Sequence, residues 1–416
     1  MRHTFPYFIA LAKHDGPTVV RAFWAAAIVS SLMILRALGG DPVTLESSSA
    51  TQPSSTTQPS SAAQPSSAAQ WIADLGDDSY QVRTGAQRKL SVHRDSVQVN
   101  ELLIDALRHP SLEIRHQSLS ILQRFQLERF DEQLSRLHDS ACPPEQIDLP
   151  GWRRYFTAVG SDQAARDFFD QVVHKHGAAL HAIDQNTYAN GFGQSFDPYR
   201  AAKGDSIRWA VILIADLPVA GTASGSFPRT DVNDLSRRVV NALCNSGLGP
   251  QPTSANERSV VGRLVNHWLV TRGHVGTPRE QLLVAMRYDC REHAGSICDR
   301  VFTDANATPS SLVTAMLAAN VLQRDGLAKE LLRRMDDDRT AHVWQLIASR
   351  RTKIRTEVRD VALALALQRK GIDPRRAGFT ELQADPLLLF RDHSLGFGSD
   401  QDRRSAQRQA AELLGK

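Results

Sequence analysis

Between Leu75 and Leu122 the chain says the same thing twice. Shifted by 32 residues, Leu75, Ser79, Val82, Arg83 and Leu90 fall on Leu107, Ser111, Ile114, Arg115 and Leu122 without a gap. A period in this range is the signature of stacked helical pairs. One such pair cannot bury its apolar face alone, so a neighbour with the same face must be laid against it. The repeat therefore constrains architecture strongly and chemistry hardly at all.

Within the second copy, Ile114, Ser118, Ile121, Leu122 and Phe125 follow the spacing of one helical face, and Pro110 stands where a first-turn proline is tolerated. Val99, Leu102, Leu103 and Ala106 mark the partner helix between the copies. Asp77 and Asp78 are the expected N-caps of the first copy. Leu, then acidic or turn residues, Val/Ile-Arg, a small residue and Leu is the pattern of HEAT-like helical hairpins. Arg83 and Arg115 are expected to brace the next hairpin through carbonyls or a carboxylate. Further helices are expected near 205–217, 231–246, 256–272, 278–292, 295–304, 309–323 and 326–336. The most apolar helix is TEVRDVALALALQRKG, with Gly371 as its left-handed cap, Ile372 as the apolar contact beyond it and Pro374 blocking continuation. No period of two persists over a useful length, so no β-sheet is expected. The expected fold is all-α, with HEAT-like hairpins stacked as an α-solenoid or an irregular α/α array.

Charge and composition limit the partners. The chain is 42% hydrophobic, enough for a sizeable core, and carries a net charge of +4. That excess sits mainly in the leader: residues 40–416 hold 45 Lys and Arg against 44 Asp and Glu, which is too even a balance for capture of nucleic acid. Ala22–Leu35 is an uncharged run of 14 residues between Arg21 and Arg36. As a helix it covers about 21 Å, short of the roughly 30 Å hydrocarbon layer. It fits a secretory h-region, with Ala37 and Gly39 as the small residues before a cleavage point after Gly39. Arg36 sits awkwardly for cleavage, so an uncleaved membrane anchor and a buried helix are the other readings. Residues 46–70 place glutamine at 52, 58, 64 and 70 in a Ser/Thr/Pro background that cannot bury enough apolar surface to order itself. The expected organisation is a signal peptide or anchor at 1–39, a disordered Ser/Pro/Gln-rich linker at 40–70, a HEAT-like repeat pair at 71–150 and a helical repeat-like domain at 151–416.

The repeat, together with LPGWRRYFTAVGSDQAARDFF, VRDVALALALQRKGIDPRRAGF and SLGFGSDQDRRSAQRQAA, resembles a family of exported HEAT-like repeat proteins of planctomycete bacteria. The resemblance covers nearly all of residues 71–416, and the short, Arg-bounded leader departs from it. It implies a helical fold and export, and it carries over no catalytic residue, because the shared motifs are packing and turn motifs.

Few residues of the chain are spaced for chemistry. His174, His176, His181 and Asp184 cluster near a helix end without the spacing of a zinc site, and are expected to be surface residues. Asp289, Cys290, His293 and Cys298 bring two thiols near an imidazole, with Gly295 expected to break the helix, and small buried hydrophobes are the expected role of both thiols. Four cysteines are too few for a disulfide framework, although one or two bridges stay open in an oxidising compartment. The Asp184–Gly191 segment misplaces the glycine of a calcium loop and has Ser195 where that loop needs its bidentate Glu. Gly191-Phe192-Gly193 lacks the third glycine of a phosphate cradle. No cofactor or metal site is expected. The candidate partner-binding residues are the loop aromatics Tyr188, Phe192, Phe196 and Tyr199 with Phe227 of a Gly/Ser-rich turn, which serve equally well as plugs of the core. The expected function is an exported helical scaffold that binds an envelope or extracellular protein and touches membrane only through its N-terminal segment. The alternative is an enzyme or metal-binding protein with a His/Asp site assembled by the fold. Oligomeric state and partner identity are not encoded in these patterns.

Overall fold

The structure, a computed structural model, describes residues 67–184, 204–217, 229–245, 247–345 and 353–415. The leader Ala22–Leu35 and most of the linker lie outside these residues. The described part of the chain is predominantly helical and divides into two compact units.

The first unit comprises residues 67–150 and 173–184. It opens with α1 (Ser67–Asp74), α2 (Tyr80–Val92), α3 (Val97–Ala106) and the long α4 (Leu112–His138). Helix α1 starts inside the expected linker, a correction with a local cause. Ala68 and Ala69 are strong helix formers, Ala68 is buried, and Gln70 Nε2 donates to Asp74 Oδ1 at 2.8 Å one turn on. The core joins Leu75, Leu90, Leu103 and Phe125, all fully buried, with Ile114 and Ile121. Leu75 and Leu90 thus reach the core as the repeat requires.

The caps differ from expectation. Ser79 is the N-cap of α2 rather than Asp77 or Asp78; Asp77 Oδ1 instead accepts the Ser79 N–H at 2.7 Å. Ser111 caps α4 through the Ile114 N–H, which leaves Pro110 just outside the helix instead of in its first turn. The repeated arginines do not reach the next hairpin. Arg83 Nη1 donates to the carbonyls of Asp77 and Asp78 at 2.7 and 3.0 Å, and Arg115 Nη1 to those of His109 and Pro110 at 2.7 and 3.0 Å. Each guanidinium closes the turn that leads into its own helix. The two turns, 32 residues apart, therefore make the same pair of hydrogen bonds.

The second unit comprises residues 151–172 and, from residue 204, the remaining described chain. It begins with α5 (Trp152–Val159) and the first part of α6 (Gln163–Asp184), a helix with non-helical backbone at His176. It continues through α7 (Ser206–Asp216), α8 (Arg229–Cys244), α9 (Ala255–Arg272), α10 (Pro278–Arg287), α11 (Arg291–Thr303), α12 (Pro309–Val321) and α13 (Leu327–Arg333). These helices pack with their neighbours along the chain and with the next but one, as α8 does with α10 and α10 with α12. Their starts follow local chemistry: Thr277 and Glu280 form a reciprocal capping box ahead of α10, with Pro278 at its first position. Helix α11 runs unbroken through Gly295; the chain instead turns at Asp289, whose φ is +55°.

The expected absence of sheet is corrected. Strand β1 (Thr340–Gln345) pairs antiparallel with β2 (Lys353–Glu357), placing Val343 opposite Arg355 and Trp344 opposite Ile354. In β2, Ile354 and Thr356 point inward while Lys353 and Arg355 point out, a period of two too short to stand out in the sequence. Helix α14 (Val358–Arg369) follows directly, buried on most sides, and ends as expected. Gly371, at φ +74°, donates to Gln368 O, and Ile372 donates to Leu367 O at 3.0 Å, the hydrogen-bond pair of a Schellman cap. A second, two-residue pairing joins β3 (Ala384–Asp385) to β4 (Leu389–Phe390), and α15 (Asp400–Leu413) closes the unit. Among the described residues no helix is long and apolar enough to cross a membrane.

Candidate functional site

The aromatic candidates Tyr188, Phe192, Phe196, Tyr199 and Phe227 all lie outside the described residues. The described surface offers a different apolar set, concentrated on the first unit. Tyr80 and Leu112 are 73% and 72% exposed, and Val97 is 73% exposed. Each is the first residue of its helix, immediately after a serine N-cap: Ser79, Ser111 and Ser96. Two residues on from Val97 and Leu112, Val99 and Ile114 are buried, so these two helices turn their first side chain outward and their third inward. Tyr80 and Leu112 are also repeat partners, 32 residues apart. The spacing was present in the sequence, but without burial nothing distinguished these two positions from core ones.

The fold also assembles three polar centres that no local motif announces. At the first, Asp216 at the end of α7 is buried, and its carboxylate accepts from Ser236 Oγ at 2.9 and 2.8 Å and from Trp268 Nε1 at 2.8 Å. Its backbone carbonyl takes Arg272 Nε at 2.8 Å. Burial outweighs these donors and pushes the carboxyl up to about 6. The group ties α7, α8 and α9 together.

At the second, Arg403 of α15 is 2% exposed. Its Nε donates to Asp360 at 2.9 Å, its Nη1 to Asp400 at 2.6 Å, and its Nη2 to the Arg355 carbonyl at 2.9 Å. Burial raises the Asp360 carboxyl to about 6 even against this guanidinium. Glu357, also buried, is shared between Arg355 and Arg359 at 3.0 and 2.7 Å. The arrangement is a closed network locking β2, α14 and α15.

The third comes nearest to reactive chemistry. Asp392 receives Arg279 Nη2 at 2.8 Å and lies 3.1 Å from His342 Nε2, an ion-pair contact and not an aligned hydrogen bond. His393 Nδ1 stands 3.4 Å from the other carboxylate oxygen, and its ring meets Trp344 edge-on at 5.1 Å. Burial alone would raise Asp392, but His342 and Arg279 hold its carboxyl well below the usual range. A carboxylate beside an imidazole supplies half of a general-base device. The other half is missing: among the described residues no hydroxyl or thiol hydrogen-bonds to either imidazole, and no group of three His, Cys, Asp or Glu is placed to hold a metal ion.

The remaining sequence candidates sit on α6 and at α11. His174, His176 and His181 are half-buried and not fully solvated, and burial lowers the His181 imidazole. Cys290 and Cys298 are free and buried, each with its Sγ at 3.6 Å from a carbonyl, those of Gly262 and Ala315. Burial pushes both thiols up to about 12, far from a reactive thiolate. Compared with known proteins, the chain matches no family model, none of the curated proteins and no solved structure.

Proposed function

We propose that this chain is an exported helical-repeat scaffold that holds another protein of the cell envelope or extracellular space and performs no catalysis. Its hairpins stack in the manner of an α-solenoid, and the Ser/Pro/Gln-rich stretch sets the folded body away from its point of secretion or anchorage. The observation that carries this reading is the pair Tyr80 and Leu112, large apolar side chains left in water at equivalent points of consecutive repeats. Exposed apolar residues in register along a repeat array suit partner contact. The buried carboxylates of Asp216 and Asp360 agree with it, since their hydrogen bonds hold helices together.

The test is cross-linking of the full chain in its native host, comparing wild type with the double variant Tyr80→Ser, Leu112→Ser. A defined partner recovered with wild type and several-fold depleted with the variant supports the scaffold. The second reading, an enzyme or metal-binding protein built on a His/Asp site, draws on His342 beside Asp392. Turnover by the purified protein that vanishes in His342→Ala would establish that reading and remove the first.

A further inference from the structure

The side of α4 that packs on the preceding hairpin is made by Ile114, Gln117, Ile121 and Arg124. Ile114 reaches Gly76, where an added Cβ would lie 2.8 Å from its Cγ1. Gln117 Oε1 accepts from Gln87 Nε2 at 2.7 Å, Ile121 is buried, and Arg124 Nη2 donates to Ser91 Oγ at 2.6 Å. Steps of three and four residues keep these positions on one helical face. Thirty-two residues earlier, the same four places on α2 are Val82, Gly85, Lys89 and Val92. Among the described residues no helix packs over them as the preceding hairpin does over α4. Val82 and Val92 are 38% and 81% exposed, and a Cβ added at Gly85 would meet no atom within 4 Å. Helix α2 thus leaves open the face with which α4, one repeat on, receives a neighbouring hairpin.

Resting on the scaffold reading, we propose that this stripe of α2 docks an acidic amphipathic helix of a partner protein. The apolar valines and the open glycine admit a closely packed helix, as the interior copy of the same face does. Charge decides which helix. Helix α2 carries Arg83, Arg88 and Lys89 and no acidic residue. Arg83 is engaged by the carbonyls of Asp77 and Asp78, whereas Lys89 lies in the stripe and Arg88 at its rim, both exposed and without an ion pair among the described residues. An occupant must therefore bring carboxylates to this edge. A second copy of α2 would bring the same cations, and the uncharged segment Ala22–Leu35 has nothing to offer them.

The test places a photoreactive p-benzoylphenylalanine at position 82 of the full chain, and in a separate sample at position 112, and irradiates the native host. The expected result is a cross-link from position 82 to an acid-bearing amphipathic helix of another protein. Its yield should fall at least tenfold in Arg88→Glu, Lys89→Glu, with an unchanged circular dichroism spectrum, and recover when the captured helix has its acids changed to lysine. A cross-link from position 82 to α2 of a second copy or to residues 22–35 overturns the proposal, as does a yield indifferent to the charge reversal. Capture at 112 with none at 82 also overturns it while leaving the scaffold standing. Silence at both positions counts against the two together.

Discussion

Ile114 seats its side chain over Gly76 so closely that a methyl group there would stand 2.8 Å from Cγ1 and 2.9 Å from Cδ1. Gly76 follows Leu75 at the turn of the first repeat, and Ile114 begins the packed face of the second. The contact explains why one of the two turns carries a glycine at this point: it must accept an isoleucine from the next repeat. Gly76→Ala should cost about 1 to 2 kcal/mol, since the isoleucine has to give way. Adding Ile114→Val should recover part of that loss, measured as non-additive urea midpoints across the four combinations.

The paired arginines should differ in degree. Arg115 donates to His109 O in a part-buried setting, whereas both carbonyls taken by Arg83 are exposed. Arg115→Ala should destabilise by about 1 kcal/mol and Arg83→Ala by less, because exposed charged donors gain little over water. Lysine in either place should restore part of the effect, since one nitrogen, Nη1, serves both carbonyls and an ammonium also carries several donors, although without the fixed guanidinium plane. Chemical denaturation of the single variants reads both.

These arginines also show how far the sequence could be read. Their alignment marked them as structural, and the long helices were legible because apolar residues recur at helical spacing over many turns. The caps were not: Asp77, Asp78 and Ser79 are all good capping residues, and only backbone geometry selects Ser79. The β1–β2 pairing escaped because five residues of alternation in β2 are weak evidence without the chain that covers Ile354 and Thr356. The polar centres escaped for a different reason. Asp216, Ser236 and Trp268 meet only after three helices pack, and His342 meets Asp392 across the whole of α14, so no spacing rule could find them. The exposed pair Tyr80 and Leu112 lay within the repeat, yet only the folded structure separates an exposed position from a core one.

Asp216 gives a pH dependence with a definite sign. Its carboxyl is raised in the folded protein to about 6, so the folded state holds its proton more tightly than the unfolded chain does. The stabilisation is fully present below the unfolded value near pH 4 and is lost as pH rises to about 6, a change of about 2 to 3 kcal/mol. Asp216→Asn cannot titrate. Relative to wild type, its melting temperature should therefore improve between pH 4 and pH 6.5 and hold level above, as followed by differential scanning fluorimetry.

Removing Arg403 should be costly. With the guanidinium gone, Asp360 and Glu357 are left buried with fewer donors, and Arg403→Met should destabilise by about 3 to 5 kcal/mol. Asp360→Asn in the same chain should return part of that loss, because the penalty lies mainly in the stranded charge. Unfolding monitored by tryptophan fluorescence distinguishes this from a simple loss of packing, for which no recovery is expected.

On the scaffold proposal, consecutive repeats present one equivalent stacking face, covered in α4 and, among the described residues, open in α2. Tandem duplication of residues 75–106 tests this directly, since the extra unit would lay a hairpin over the Val82, Gly85, Lys89 and Val92 stripe of the downstream copy. In an array held by nearest-neighbour contacts, one more matched unit adds an interface. The predicted result is a single cooperative thermal transition at higher temperature than wild type, with a helical signal increased in proportion to the added residues. A duplicated unit that melts separately at lower temperature, or adds no helix, would contradict it.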